Sequence, residues 1–471
     1  MFKRSFVLVP LLLAGCATNP VTGKSEISLV SEQQEIQMGQ QGAEAAKATY
    51  GLVDDPALQK YVSSIGLEIA KKTERPNLPW AFYVIDDASV NAFALPGGPV
   101  FITRGILGAM NSEGELASVL GHEIGHITAR HSAQQMSQQQ LAALGLGLGS
   151  ILSPKVAELS GVIGQGLQLL FLKYSRDDES QADALGFRYM IQDNYDPRQM
   201  AAMFKTLDRE TPDEGRLPAW LSTHPDPGNR YQIAMQRVDS VKSLNRDLSG
   251  MQVNQDAFLS HVNGLVYGEN PREGFFKDGR FYHPDLKFQF QLPNGWQVQN
   301  TKQAVIAVSG QQDAMIQLTA GQGAPTAALQ KFLGQQGIQA GRVSSSAING
   351  LPAASGYFQA QTENGALAGL VSYISYGGNT YQLLTYTPAT QLDAYNATFQ
   401  QVIGSFAPLN DPAILNVQPK KVEVIKLPSR MTLAEFYSRY PSSIPVEEVA
   451  IINGVETGTT LEAGTEVKRV R

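Results

Sequence analysis

Gly121-His122-Glu123-Ile124-Gly125-His126 sits inside a stretch, Glu113 to His131, whose apolar residues Leu116, Val119, Leu120, Ile124 and Ile127 recur at helical spacing. At about 100° per residue, positions four apart nearly eclipse, so His122 and His126 share one face. Two neutral imidazoles placed in this way form a zinc-binding pair, and Glu123 stands beside the metal without having to ligate it. A catalytic zinc also needs a third protein ligand and an open position. With six histidines and one cysteine in the chain, donors are few. Glu179, in Tyr174-Ser175-Arg176-Asp177-Asp178-Glu179-Ser180-Gln181-Ala182-Asp183, is the candidate third ligand. Asp183 lies one turn further on the same face, where a carboxylate can hold a zinc-bound imidazole through its other nitrogen. A solvated acidic helix face fits the same spacing equally well.

Around this centre the pattern predicts helices over 31–47, 57–72, 113–131, 173–193 and 198–209, with strands over 80–85 and 100–103. Asn91-Ala92-Phe93-Ala94-Leu95-Pro96-Gly97-Gly98 lies between the two strands. Residues 141–172 are apolar but threaded with glycine, and Pro154, Lys155 and Glu158 split them into pieces too short for a bilayer span. Buried helices, or a flap over the site, are the expectation there.

Four motifs in order, Asn91 to Gly98, His122-Glu123-Ile124-Gly125-His126 with Ala129-Arg130-His131, Ser175-Arg176 with Glu179 and Asp183, and Ser222-Thr223-His224-Pro225-Asp226-Pro227 with Arg230, resemble the gluzincin metalloprotease family that includes HtpX and BepA. The resemblance spans about residues 30–240. It implies an α+β fold whose first domain is a mainly helical zincin-type protease with a small sheet, one zinc per chain, and Glu179 as third ligand with Asp183 behind it. His224 is then a candidate to stabilise the oxyanion or to cap the zinc at rest, and Arg230 a brace near Asp183. Glu123 is the expected general base. The strand at Asn91, Ala92, Phe93 and Ala94 is a candidate edge for an extended peptide, with a purely structural strand as the alternative. His131 is out of register with the zinc pair and reads as structural. His261 and His283 have no motif around them.

The N-terminus carries Lys3 and Arg4, an apolar run from Phe6 to Ala14, and Leu13-Ala14-Gly15-Cys16. A basic start with a short apolar core is a secretory signal, and its end resembles a bacterial lipobox, implying cleavage before Cys16 and lipidation there. Residues 1–15 are thus expected as signal and 16–30 as tether, with a periplasmic location. Ala17 after the cysteine favours the outer membrane. A formal charge of -6 and the lack of a long Lys/Arg block exclude nucleic acid as an expected partner.

After the protease domain, 31–265, the texture changes to short alternating strands with helices near 326–336 and 391–404, predicting an α+β module over 266–408. A linker, 409–421, leads to 422–471, read as a strand, two helices and a strand. This last unit resembles a divergent LysM module, although Pro428-Ser429-Arg430 departs from the usual turn, and implies peptidoglycan contact. The resulting expectation is a lipid-anchored zinc endopeptidase acting on unfolded or misassembled envelope proteins. The alternatives are a cell-wall-binding scaffold with a latent metal site, against which the intact Glu123 argues, and an enzyme cleaving peptidoglycan cross-links.

Overall fold

The computed structural model describes residues 16–145, 174–209, 220, 224, 229–243, 247–362 and 365–471. The signal stretch 1–15 and nearly all of the glycine-threaded stretch 141–172, with the flap expected there, lie outside these residues. Among the described residues no helix is long and apolar enough to cross a membrane.

The first part of the chain builds helices around a small sheet. In order come β1 (Cys16–Thr18), β2 (Ser25–Ile27), α1 (Glu32–Tyr50), α2 (Pro56–Ala70), β3 (Ala81–Ile85), β4 (Ala92–Ala94), β5 (Pro99–Thr103), α3 (Arg104–Ala109), α4 (Glu113–Thr128), α5 (His131–Gly145), α6 (Arg176–Gln192), α7 (Arg198–Arg209), α8 (Arg230–Ser243) and α9 (Gln255–Val262). The sheet runs β3-β5-β4, parallel between β3 and β5 and antiparallel between β5 and β4. Where a tether was expected, β1 and β2 pair as a hairpin. Its turn residue Asn19 is buried and reaches the Ala129 carbonyl and Glu26.

α4 is buried along its whole length. Ser112 caps it by accepting from the Glu115 N–H, and Glu113 and Glu115 favour the positive end of the helix dipole. The expected single helix to residue 131 is broken. Arg130 takes a left-handed backbone, φ 62°, and α5 starts afresh at His131. The Arg130 guanidinium donates to Glu35 and to the Val30 carbonyl, so contacts distant in sequence set this turn.

The packing of α6 on α4 positions the functional residues. Glycines make the approach possible: a methyl at Gly186 would lie 2.9 Å from the His122 backbone nitrogen, and one at Gly125 would lie 3.1 Å from the Ala182 carbonyl oxygen. One shared core, including Val62, Val84, Ile102, Leu120, Ile124, Tyr189, Met203 and Phe258, joins α2, β3, β5, α4, α6, α7 and α9.

The second part is sheet-rich. A four-stranded antiparallel sheet and a seven-stranded one form from β6 (Phe275–Lys277), β7 (Arg280–His283), β8 (Phe288–Gln291), β9 (Gln297–Asn300), β10 (Ala304–Val308), β11 (Met315–Gly321), β12 (Ile338–Ser344), β13 (Ala353–Thr362), β14 (Gly365–Tyr376), β15 (Asn379–Pro388) and β16 (Ala407–Pro408). The larger sheet has the order β12-β13-β14-β15-β11-β10-β9, and the smaller β16-β8-β7-β6. Helices α10 (Pro325–Leu333) and α11 (Leu392–Gly404) pack on them. A short α12 (Pro412–Leu415) falls in the expected linker.

The last part contains β17 (Val422–Lys426), β18 (Met431–Thr432), α13 (Leu433–Arg439), α14 (Val446–Ile452), β19 (Thr460–Leu461) and β20 (Glu466–Val470), with β17 antiparallel to β20. It docks directly on the first part. Val422 exchanges backbone hydrogen bonds with Gly264 and Leu265, and the buried Lys468 donates to the Gly108 and Met110 carbonyls just ahead of α4.

Gly186→Ala tests the helix contact. Alanine favours a helix by about 1 kcal/mol over glycine, but here the methyl meets backbone and overpacking costs about 1–3 kcal/mol. A lower melting temperature is expected on thermal denaturation. An unchanged or higher one would remove the glycine approach as a constraint.

Candidate metal centre

His122 and His126 leave α4 side by side, with their Nε2 atoms 3.1 Å apart. α6 brings Glu179 to them, its carboxylate oxygens 3.5 Å from each Nε2. His224 completes the group, with Nδ1 2.9 Å from Glu179 Oε1 and 3.3 Å from His122 Nε2. One donor atom from each of His122, His126, Glu179 and His224 lies within 4.8 Å of the others, and none of the four residues is more than 2% exposed. Glu123, fully buried, has Oε1 3.5 Å from His224 Nε2.

The outer nitrogens of the zinc pair are both engaged. His122 Nδ1 is 2.9 Å from Asp183 Oδ1 and donates to it. Arg230 donates from Nε and Nη2 to the two oxygens of the same carboxylate, at 2.9 and 2.5 Å. Its guanidinium also stacks over the Phe204 ring, 4.3 Å from the centroid. His126 Nδ1 is 2.9 Å from His131 Nδ1. With each Nδ1 as the donor in its contact, both Nε2 atoms would be free to offer a lone pair to one cation.

The other electrostatics favour a cation too. Burial pushes the Glu179 carboxyl up, but the His224, His122 and His126 imidazoles around it hold it well below the usual carboxylate range. Burial also opposes ionisation of Asp183, and Arg230 with the His122 hydrogen bond outweighs it, holding the carboxyl at about 2. At His122 burial would lower the imidazole, yet Asp183 and Glu179 lift it to about 9, so both carboxylates favour positive charge there. Burial raises Glu123 and lowers His126 and His131. Both Glu123 oxygens, Glu179 Oε2 and His224 Nε2 are buried with no hydrogen-bond partner among the described residues. A mixed imidazole and carboxylate set around such orphaned atoms suits zinc.

Aromatic rings close the site. Tyr174 stacks on His126 at 3.9 Å and bonds Ser132 through its hydroxyl, and Trp220 stacks on His224 at 4.2 Å. Neither ring was singled out from the sequence, where an isolated aromatic carries no motif. His131, read as structural, lies against a zinc-pair nitrogen. His261 stacks on Tyr61 and His283 belongs to β7, both outside this group. Residues Ala92, Phe93 and Ala94 form β4, with β5 on one side and no strand on the other among the described residues. Asn91 precedes it, bonded to Thr103 through backbone nitrogen and oxygen. Of Cys16, the candidate lipidation site, only the backbone, in β1, is described.

Residues 56–238 match peptidase family M48. The chain is 28% identical over 282 residues to the beta-barrel assembly-enhancing protease of Escherichia coli (strain K12), covering 58% of this chain and 55% of that protein. It is 33% identical over 233 residues to the protein of the same name from Yersinia pestis, covering 47% and 48%. To the mitochondrial metalloendopeptidase OMA1 of Schizosaccharomyces pombe it is 32% identical over 223 residues, covering 45% and 64%. The chain thus spans about half the length of the two bacterial relatives.

Asp183→Asn keeps the shape of the side chain and removes the charge that orients His122. Zinc affinity, measured by competition with a chromophoric chelator, is expected to fall by about 10–100-fold. Unchanged affinity would rule out the carboxylate as the clamp.

Proposed function

With a peptidase family M48 domain across residues 56–238, we propose that this chain is a zinc metalloendopeptidase hydrolysing peptide bonds of misfolded or misassembled envelope proteins. The observation that carries the reading is the buried set of His122, His126 and Glu179 with Glu123 alongside. The names of the bacterial relatives support the envelope role. The signal-like N-terminus and Cys16 support a lipid anchor, a periplasmic location and attachment to the outer membrane.

A zinc ion held by this set would supply the Lewis acidity that lowers the pKa of a water and polarises the scissile carbonyl. His122, His126 and Glu179 hold it, while Asp183 and Arg230 fix the His122 ring. Glu123 takes the proton of the attacking water and hands it to the leaving amine. Its buried oxygens, bonded to no described group, are available for that exchange. His224 occupies the position of a fourth donor. There it serves either to cap the zinc at rest or to stabilise the oxyanion. The side of β4 with no strand partner among the described residues is the candidate edge for the substrate as an added strand, bound through backbone hydrogen bonds that tolerate varied side chains. Peptidoglycan contact through residues 422–471 is supported by the LysM-like residues and by the order β17, α13, α14, β20.

The decisive experiment compares soluble protein lacking the first sixteen residues with its Glu123→Gln variant on an unfolded protein substrate, with bound zinc measured in both. Loss of a positioned general base is expected to slow cleavage by about 10²–10⁴-fold with zinc retained. Equal cleavage by both would remove Glu123 from the mechanism. Zinc in both with cleavage by neither would favour the scaffold reading.

A further inference from the structure

His131 is buried and engaged at both ring nitrogens, although it is not among the metal donors. Its Nε2 lies 2.8 Å from Gln181 Oε1 and 3.6 Å from Asp178 Oδ1. A ring nitrogen facing two acceptors carries the proton. The contact between His131 Nδ1 and His126 Nδ1, 2.9 Å, has room for one proton only. His131 therefore accepts there and His126 donates, which leaves the His126 Nε2 lone pair directed at His122 Nε2 and Glu179.

We propose that His131, pinned by Gln181, is a positioning residue that fixes the tautomer and ring angle of His126 for metal binding. The inference rests on the zinc site and not on proteolysis. A metal-bound histidine usually passes its second N–H to a carboxylate, a backbone carbonyl or water. The two zinc histidines here differ: His122 donates to the Asp183 carboxylate and His126 to a neutral imidazole. Local structure serves the same end. Arg130, at φ 62°, turns the chain so that His131 returns beneath His126, and Glu35 and the Val30 carbonyl hold that turn. Tyr174 covers the His126 face. α6 thus supplies the ligand Glu179, the His122 clamp Asp183 and the His131 pin Gln181.

The test measures zinc affinity by chelator competition, and melting temperature without metal, for the full chain and for His131→Phe, His131→Asn and Gln181→Leu. Asparagine Oδ1 can take the place of the accepting Nδ1; phenylalanine cannot accept. The expected result is a loss of about 10–100-fold for the phenylalanine variant, most of it restored by asparagine, and a smaller loss for Gln181→Leu. Gln181 is only half-buried, so its variant keeps the fold even where phenylalanine at 131 does not. A lower melting temperature with zinc affinity intact overturns the proposal, as does asparagine binding no better than phenylalanine. Wild-type protein that holds no zinc overturns the metal site and the relay with it.

Discussion

The close approach of α4 and α6 across Gly121, Gly125 and Gly186 is the contact on which the rest of the site depends. Zinc–ligand distances tolerate errors of only about 0.2 Å, and the candidate ligands come from helices more than fifty residues apart in sequence. A methyl at Gly186 would lie 2.9 Å from the His122 nitrogen, so one helix would have to shift against the other. The glycines therefore act at a distance: they carry no chemistry, but they place the atoms that do.

Both ends of α4 are anchored around that contact. At its start, Glu113 accepts from Tyr61, Tyr195 and Asn254. At its end, Arg75 donates to the Ile127 carbonyl and to Glu35, which also receives Arg130. Buried ion pairs of this kind add little net stability, because desolvation offsets the attraction. Their effect is to fix geometry, since removing one partner strands the other charge. The same logic holds at the metal centre, where Asp183 and Arg230 compensate each other and Glu179 remains as the negative charge that a cation answers.

How much of this the sequence revealed depends on the range of each interaction. The His122 and His126 pairing is local, set by helical geometry, and could be read directly. Glu179 could be named only as a candidate, because a solvated acidic face has the same spacing and only the packing of α6 separates the two. The break at Arg130 was missed because Glu35, its partner, lies 95 residues away. Strands β9, Gln297–Asn300, and β12, Ile338–Ser344, are not legible in the sequence, for a different reason. Their residues are mostly exposed on edges of the sheet, so no buried face imposes an alternating pattern. The strands with a buried face, β13 to β15, do show as apolar runs in the sequence, over 354–361, 370–376 and 381–386.

The route of the chain bears on what the last unit does. It leaves the first part near Tyr267 and returns at Lys420, whose carbonyl accepts from the Tyr267 N–H. The sheet-rich module is therefore an excursion between neighbouring points, and the last unit sits against the first part. Lys468 makes this docking more than proximity. A fully buried ammonium is expensive to desolvate unless its hydrogens are taken up, and the Gly108 and Met110 carbonyls take them at the entrance to α4. Arg209 reaches the Val455 carbonyl and Tyr267 bonds Glu448, tying α7 and the end of the first part to the same unit. Separating the unit would strand both the lysine and the carbonyls, so it belongs to the framework that holds the metal-binding helix.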